Sequence, residues 1–220
     1  MPRRSQEDRS RTTRTALEQA GRRLFAERGY TNVSAEELVS EAGVTRGALH
    51  HHYGDKRGLF VVVLEQLEAD NTAEIERAMA ALPDQNDLPA AMVAGISTFL
   101  DISIRAETAR IAMADGMTVL GWAGWREMES RHGLGMITDL FERAVAAGTA
   151  VTAPVRVLAH LVLSAVTEAG MLVANAEDPA ATQAEAEQCL LLMLGGLISP
   201  PSLRHRVDDR PASAVDPGTA

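Results

Sequence analysis

The stretch Gly43 to Lys56, GVTRGALHHHYGDK, concentrates side chains able to do chemistry: a threonine hydroxyl, a guanidinium, three consecutive imidazoles and the single lysine of the chain. Three uses suggest themselves. A helical metal site needs histidines four residues apart, and no Cys or second His stands at that spacing from His50, His51 or His52. Consecutive helical residues point about 100° apart, so the three rings cannot converge on one ion. General-base catalysis needs a partner to orient the base and a pocket around it, and a short helix edge offers neither. Recognition of phosphates and base edges remains. Thr45 brings a hydroxyl to a helix N-terminus, where free backbone N–H groups attract phosphate. Arg46 is long, charged and bidentate, which suits a guanine edge. Gly47 and Ala48 are small enough for the helix to enter a groove closely, and Leu49 should turn inward. The histidines offer flat rings and N–H donors, and Lys56 a charge for the nucleic-acid backbone.

Helices must hold these groups. Ala16, Leu17, Ala20, Leu24 and Phe25 recur at helical spacing over 12–28, and Gly29 suits the left-handed position after a helix. In VSAEELVSEAGV, Ser34 and Glu37 form a capping box, with Val33 and Leu38 as its hydrophobic staple. That helix stops at Gly43, Thr45 caps a second short one, and Asp55 caps a long one running to about Leu82. Two short helices about a glycine turn, braced by a third, describe a helix-turn-helix. No segment alternates long enough to be a strand. The periodicity continues over 88–105, 107–120, 124–147, 154–175 and 178–197, for about nine helices in an all-α fold.

Net charge is −9, which by itself disfavours a nucleic-acid binder. The distribution reverses that: residues 1–58 carry 11 basic and 8 acidic side chains, a net of +3, and residues 59–220 carry 10 and 22, a net of −12. A basic head sits on an acidic body. The lone Cys189 cannot form an internal disulfide, fits a reducing cytoplasm, and reads as a small buried hydrophobe. No secretory signal or membrane span is expected.

The run SAEELVSEAGVTRGALHHHYGDKRGLF resembles the DNA-binding region of the TetR family, the tetracycline-repressor-like regulators. The resemblance rests on Ala42, Gly43, Val44, Thr45, Arg46, Gly47, Leu49 and Lys56 and covers about a quarter of the chain. It implies an all-helical homodimer with an N-terminal helix-turn-helix and a C-terminal effector-binding and dimerisation domain. It also implies a repressor that binds a palindromic double-stranded DNA operator until a small molecule releases it. Carried over residue by residue, the DNA contacts are Ser34, Thr45, Arg46, Gly47, Ala48, His50, His51 and Lys56, with His52 less well placed. His50 stands where the family usually has a tyrosine whose hydroxyl meets a phosphate; an imidazole N–H can do the same. Tyr53 stands where a phenylalanine is usual and reads as packing.

The remaining organisation follows: a flexible arm over 1–11, the DNA-binding domain over 12–56, the effector and dimerisation domain over 57–198, and a disordered Pro- and Arg-rich tail over 199–220. The helices at 154–175 and 178–197 are apolar on nearly all sides and read as a dimerising pair. The segment 115–135 holds both tryptophans amid glycines. Met117, Trp122, Trp125 and Met128, with Met136 nearby, either line an adaptable pocket or only pack beside the dimer bundle. Glu168, a carboxylate in the most apolar helix, either binds a cationic ligand group or pairs across the dimer. Asp101, Arg105, Arg110, Asp115, Arg126 and His132 are further candidate polar groups, Arg105 and Arg110 also reading as solvated. No cofactor or metal is expected. Two other readings stay open: a helical DNA binder without an effector, and an enzyme carrying a DNA-binding head.

Overall fold

The computed structural model describes residues 6–84, 87–150 and 153–197. The expected tail over 199–220, and residues 1–5 of the expected arm, lie outside these. All regular elements among the described residues are helical: α1 Gln6–Arg28, α2 Ala35–Glu41, α3 Arg46–Tyr53, α4 Lys56–Ala80, α5 Leu88–Ser103, α6 Ala106–Thr108, a π-helical stretch Ala109–Gly116, α7 Met117–His132, α8 Leu134–Ala146, α9 Val155–Ala174 and α10 Pro179–Gly195. α6, the π-helical stretch and α7 follow one another without a loop.

α1 begins at Gln6, not near residue 12, so residues 6–11 are helix and not part of a flexible arm. Glu7 and Asp8 lie in its first turn, where they complement the helix dipole. Asp8 also pairs with Arg11 three residues on, at 3.4 Å. Gly29 ends the helix with φ +77°, and its N–H donates to the Phe25 carbonyl at 2.9 Å. The predicted caps are all present. Ser34 Oγ accepts from Glu37 N–H, Thr45 Oγ1 from Ala48 N–H, and Asp55 Oδ1 from Gly58 N–H.

The core has two parts. One joins Leu17, Leu24, Phe25, Leu38 and Leu49 of the head to Leu59, Phe60, Val63, Leu64 and Leu67 of α4, then continues into Ile111, Trp125 and Met128. The other packs α5, α8, α9 and α10 through Leu88, Leu100, Phe141, Val173 and Leu190. α4 runs from the first part toward the second, and a cavity lies between them. Gly121, at φ +72° and ψ +168°, kinks α7. The sequence periodicity marks that break, but not the one at Gly133 that separates α7 from α8.

α9 is 20 residues long, with a mean hydropathy of 1.8 over its best window. By length and composition it could cross a membrane, although Arg156 and Glu168 lie within it. In the fold, one side joins the core through Ala159, Val162, Leu163 and Val173, while Val157, Leu161 and Leu172 face outward. On α10, Cys189, Leu192 and Met193 are likewise exposed. Cys189 is therefore not buried within this chain, because it lies on the outward stripe of its helix.

Candidate DNA-reading helix and buried cavity

α3 is held from both ends. At its start, Gly43 takes φ +64°, and Val44 N–H donates to the Val39 carbonyl at 2.9 Å, closing the turn from α2. At its end, Gly54 takes φ +77° and donates to the His50 carbonyl at 2.9 Å. Leu49 alone of α3 is fully buried, as expected. Thr45, Arg46, Gly47, His50 and His51 are exposed, and Ala48 is half-buried. A side chain at Gly47 would meet only Thr45 Oγ1, 3.7 Å away, so nothing inside the protein requires glycine there.

The exposed groups are already engaged. Arg46 Nη1 pairs with Glu36 Oε1 of α2. His50 Nδ1 lies 2.7 Å from the Gly54 carbonyl oxygen. A carbonyl only accepts, so Nδ1 carries the proton. Nε2 then accepts in the neutral ring and donates only in the imidazolium. The His51 and His52 rings meet edge to face at 4.9 Å. Burial, with the nearby His51 and Arg14 charges, holds His52 below the usual imidazole range. Among the described residues, no cluster of His, Cys, Asp and Glu could hold a metal ion.

Lys56 also braces the head. Its ammonium donates to the Tyr30 carbonyl at 2.9 Å and the Val33 carbonyl at 2.8 Å, and sits 4.0 Å above the Tyr30 ring. Two of its three donors therefore tie the α1–α2 turn to α4. Tyr53 packs as expected and donates to Glu18 Oε1 at 2.7 Å; burial and that carboxylate push its phenol upward. Ser34 donates to Glu37 through both its N–H and its hydroxyl, at 2.8 and 2.7 Å. These bonds, with Arg28, pull the Glu37 carboxyl down to about 2.

Sequence reasoning missed Gly58. A Cβ there would stand 1.9 Å from the Tyr53 carbonyl oxygen, so only glycine lets α4 start against the end of α3. Its signal is faint: a glycine in the first turn of an otherwise strong helix.

The head touches the body through polar ties as well. Asp115 Oδ2, in the π-helical stretch, accepts from Tyr30 N–H at 2.7 Å. Arg22 of α1 donates to Glu107 at 2.6 and 3.0 Å and to Asp70 at 2.7 Å.

The cavity has a volume of about 120 Å³. Its walls come from α4, α5, the π-helical stretch, α7, α8, α9 and α10, and include Met79, Met92, Phe99, Met113, Trp125 and Met136. Of Met117, Trp122, Trp125 and Met128, only Trp125 is there. Met128 is buried at the head–body junction, Met117 packs against that same core, and Trp122 is 67% exposed with the Arg126 guanidinium 5.6 Å from its ring. Glu168 is exposed on α9, not buried, because the helix turns that side outward. The other expected polar groups do not line the cavity either. Asp101 accepts from Gln183. Arg105 grips Glu74 through two bonds of 2.7 and 2.6 Å. Arg110 packs beside Gly29 and Asp115 holds Tyr30. His132 Nε2 is buried 3.8 Å from Glu65 without a hydrogen bond.

The polar lining is instead Glu68, Asn71, Thr72, Glu129 and Thr167. Three of these follow one α4 stripe: Leu64, Leu67, Glu68, Asn71, Thr72 and Ile75 share helical spacing. Polar residues on an apolar stripe were the available signal. Glu68 is half-buried and faces cavity space; desolvation, then the Glu129 charge, pushes its carboxyl up to about 7. Glu129 Oε2 accepts from Arg126 Nη1 at 2.9 Å, and Arg126 also reaches Ser164 Oγ at 3.1 Å.

Comparison with known proteins fits both halves. Residues 18–63 match the family model described as bacterial regulatory proteins, tetR family. Residues 89–197 match the tetracyclin repressor-like C-terminal domain. A TetR-family transcriptional regulator from Pectobacterium atrosepticum has 30% identical sequence, and the match covers 90% of this chain and 100% of that one, with a TM-score of 0.78. The chain belongs to the TetR family. The HTH-type transcriptional repressor AcnR of Corynebacterium glutamicum is 31% identical over 88 residues, 36% of this chain and 47% of AcnR. The chain spans about half the length of the curated relatives first matched. RolR, solved in complex with resorcinol, shares the TetR fold at 17% identity and a TM-score of 0.66, over 86% of this chain and 91% of that one.

Proposed function

We propose that this TetR-family protein is a dimeric, cytoplasmic repressor that reads a palindromic DNA operator through α3 and releases it when a small molecule fills the cavity. The observation that carries this reading is the exposed face of α3. It combines a helix N-terminus at Thr45, a glycine at 47 with no internal partner, and the Arg46 guanidinium. On DNA, Arg46 leaves Glu36 for a guanine O6/N7 edge. The Thr45 hydroxyl and the helix N-terminus meet a phosphate, and Ser34 at the start of α2 meets a neighbouring one. Gly47 and Ala48 allow close approach. His50 faces phosphate through Nε2, and His51 contacts the groove. Lys56 adds its remaining N–H to the backbone while bracing the head.

A dimer through 154–175 and 178–197 is supported by the outward apolar stripes of α9 and α10, with Leu161 65% and Leu192 72% exposed in the single chain. Such a face in contact with a second copy becomes an isologous interface. Ligand control is supported by Trp125, which lines the cavity and also belongs to the head core. It packs on Gly116, whose added Cβ would lie 2.5 Å from the ring, and Asp115 next door holds Tyr30 of the head. A ligand favouring a shifted α7 thereby favours a different head position.

The test is selection of bound duplexes from a random pool at near-physiological salt. Recovery of a two-half-site palindrome supports the reading. Binding without a motif, lost as salt rises, overturns it in favour of non-specific phosphate attraction.

A further inference from the structure

The cavity holds two carboxylates and no cationic side chain among its described lining residues. They are not equivalent. Glu129 is neutralised from behind by Arg126 at 2.9 Å. Glu68 is half-buried, lines the cavity, and makes no hydrogen bond or ion pair to any described residue. A half-buried carboxyl without a protein partner on an apolar cavity wall carries a desolvation cost that its neighbours Leu64 and Leu67 do not. The rest of the lining is methionine, aromatic and aliphatic, and the Trp125 ring is the kind of face that attracts a cation.

We infer that the effector is a small apolar amine whose ammonium head pairs with Glu68 while its body lies against the methionines and Phe99. This rests on the reading of the cavity as an effector site. An ammonium relieves the repulsion between Glu68 and Glu129 and supplies the missing partner. An acid would bring its own negative charge against the two carboxyl groups, and a neutral alcohol would give ionised Glu68 no counter-charge. The size is bounded too. At roughly 10–15 Å³ per water by this measure, 120 Å³ admits about ten waters, a small site. That fits one ring on a short chain.

Three molecules with one body separate the alternatives: 4-phenylbutylamine, 4-phenylbutanol and 4-phenylbutanoate. Each is titrated calorimetrically into the full-length protein and then into its operator complex. The amine is expected to bind at least about tenfold more tightly than the alcohol, and the acid not at all. In Glu68→Gln the amine-over-alcohol preference should fall to about twofold or less, with a thermal melt confirming that the variant folds. Glu129→Gln should keep most of the preference. Equal or better binding of the alcohol or acid, no binding of any of the three, or a preference unchanged in Glu68→Gln overturns the assignment. If the alcohol binds best and releases the operator, the effector reading stands and only the cation falls. If the amine binds with Glu68-dependent preference but the operator complex ignores it, the cation site stands and the effector reading falls.

Discussion

Arg46 pairs with Glu36 in the free protein and, in the proposed reading, exchanges that partner for a guanine edge, which makes its contribution measurable. Arg46→Ala should weaken operator binding by roughly 1–3 kcal/mol and relax specificity at one base pair of each half-site, read by titration at fixed salt. Glu36→Gln should act the other way, tightening binding severalfold, because it removes both the competing ion pair and a negative charge beside the phosphates. An unchanged affinity in Glu36→Gln would mean the pair has no bearing on DNA. Two carboxyls with opposite shifts set the pH response. Glu37 is held down to about 2, so its stabilisation is present above the ordinary carboxyl range and is lost as pH falls toward 2. Glu68 is raised to about 7, so the native state favours its protonated form; that advantage is full below its unfolded value and disappears as pH climbs through 7. Wild-type thermal stability should therefore decline between pH 5 and pH 8 relative to Glu68→Gln, by on the order of 1–3 kcal/mol. Parallel curves would remove Glu68 as the titrating group.

At the scale of elements, the joint between α3 and α4 is the tightest point of the head. Gly58→Ala would drive a methyl into the Tyr53 carbonyl, a backbone atom that cannot rotate away. It should cost about 2 kcal/mol or more of stability and misalign the recognition helix, lowering both the melting temperature and operator affinity. A full wild-type melt and affinity would show that α4 can start elsewhere. Caps and glycine turns made the head legible in the sequence because their hydrogen bonds span only three or four residues: Ser34 with Glu37, Thr45 with Ala48, Asp55 with Gly58. The cavity was not legible in the same way. Its walls meet across seven elements, and Glu68 and Glu129 lie 61 positions apart in the chain. Glu168 misled because α9 is apolar on two sides, and sequence alone does not say which side faces inward. The bracing role of Lys56 was not legible because its carbonyl partners sit in the α1–α2 turn, far from it in sequence.

At the scale of the molecule, the outward stripes of α9 and α10 predict the assembly. Leu161→Asp with Leu192→Asp should convert a dimer to a monomer in light scattering, and the operator Kd should rise by at least about tenfold, since each head then binds its half-site alone. A dimer that survives both charges would move the interface elsewhere. The continuous core from head to cavity has one more consequence, an optical one. The two indoles occupy opposite surroundings: Trp125 is 4% exposed between ligand and head, and Trp122 is 67% exposed. Replacing Trp122 with phenylalanine leaves a single emitter at the junction. Its fluorescence should be blue-shifted at rest and should change when the cavity fills, so the protein carries its own reporter of the step between occupancy and release.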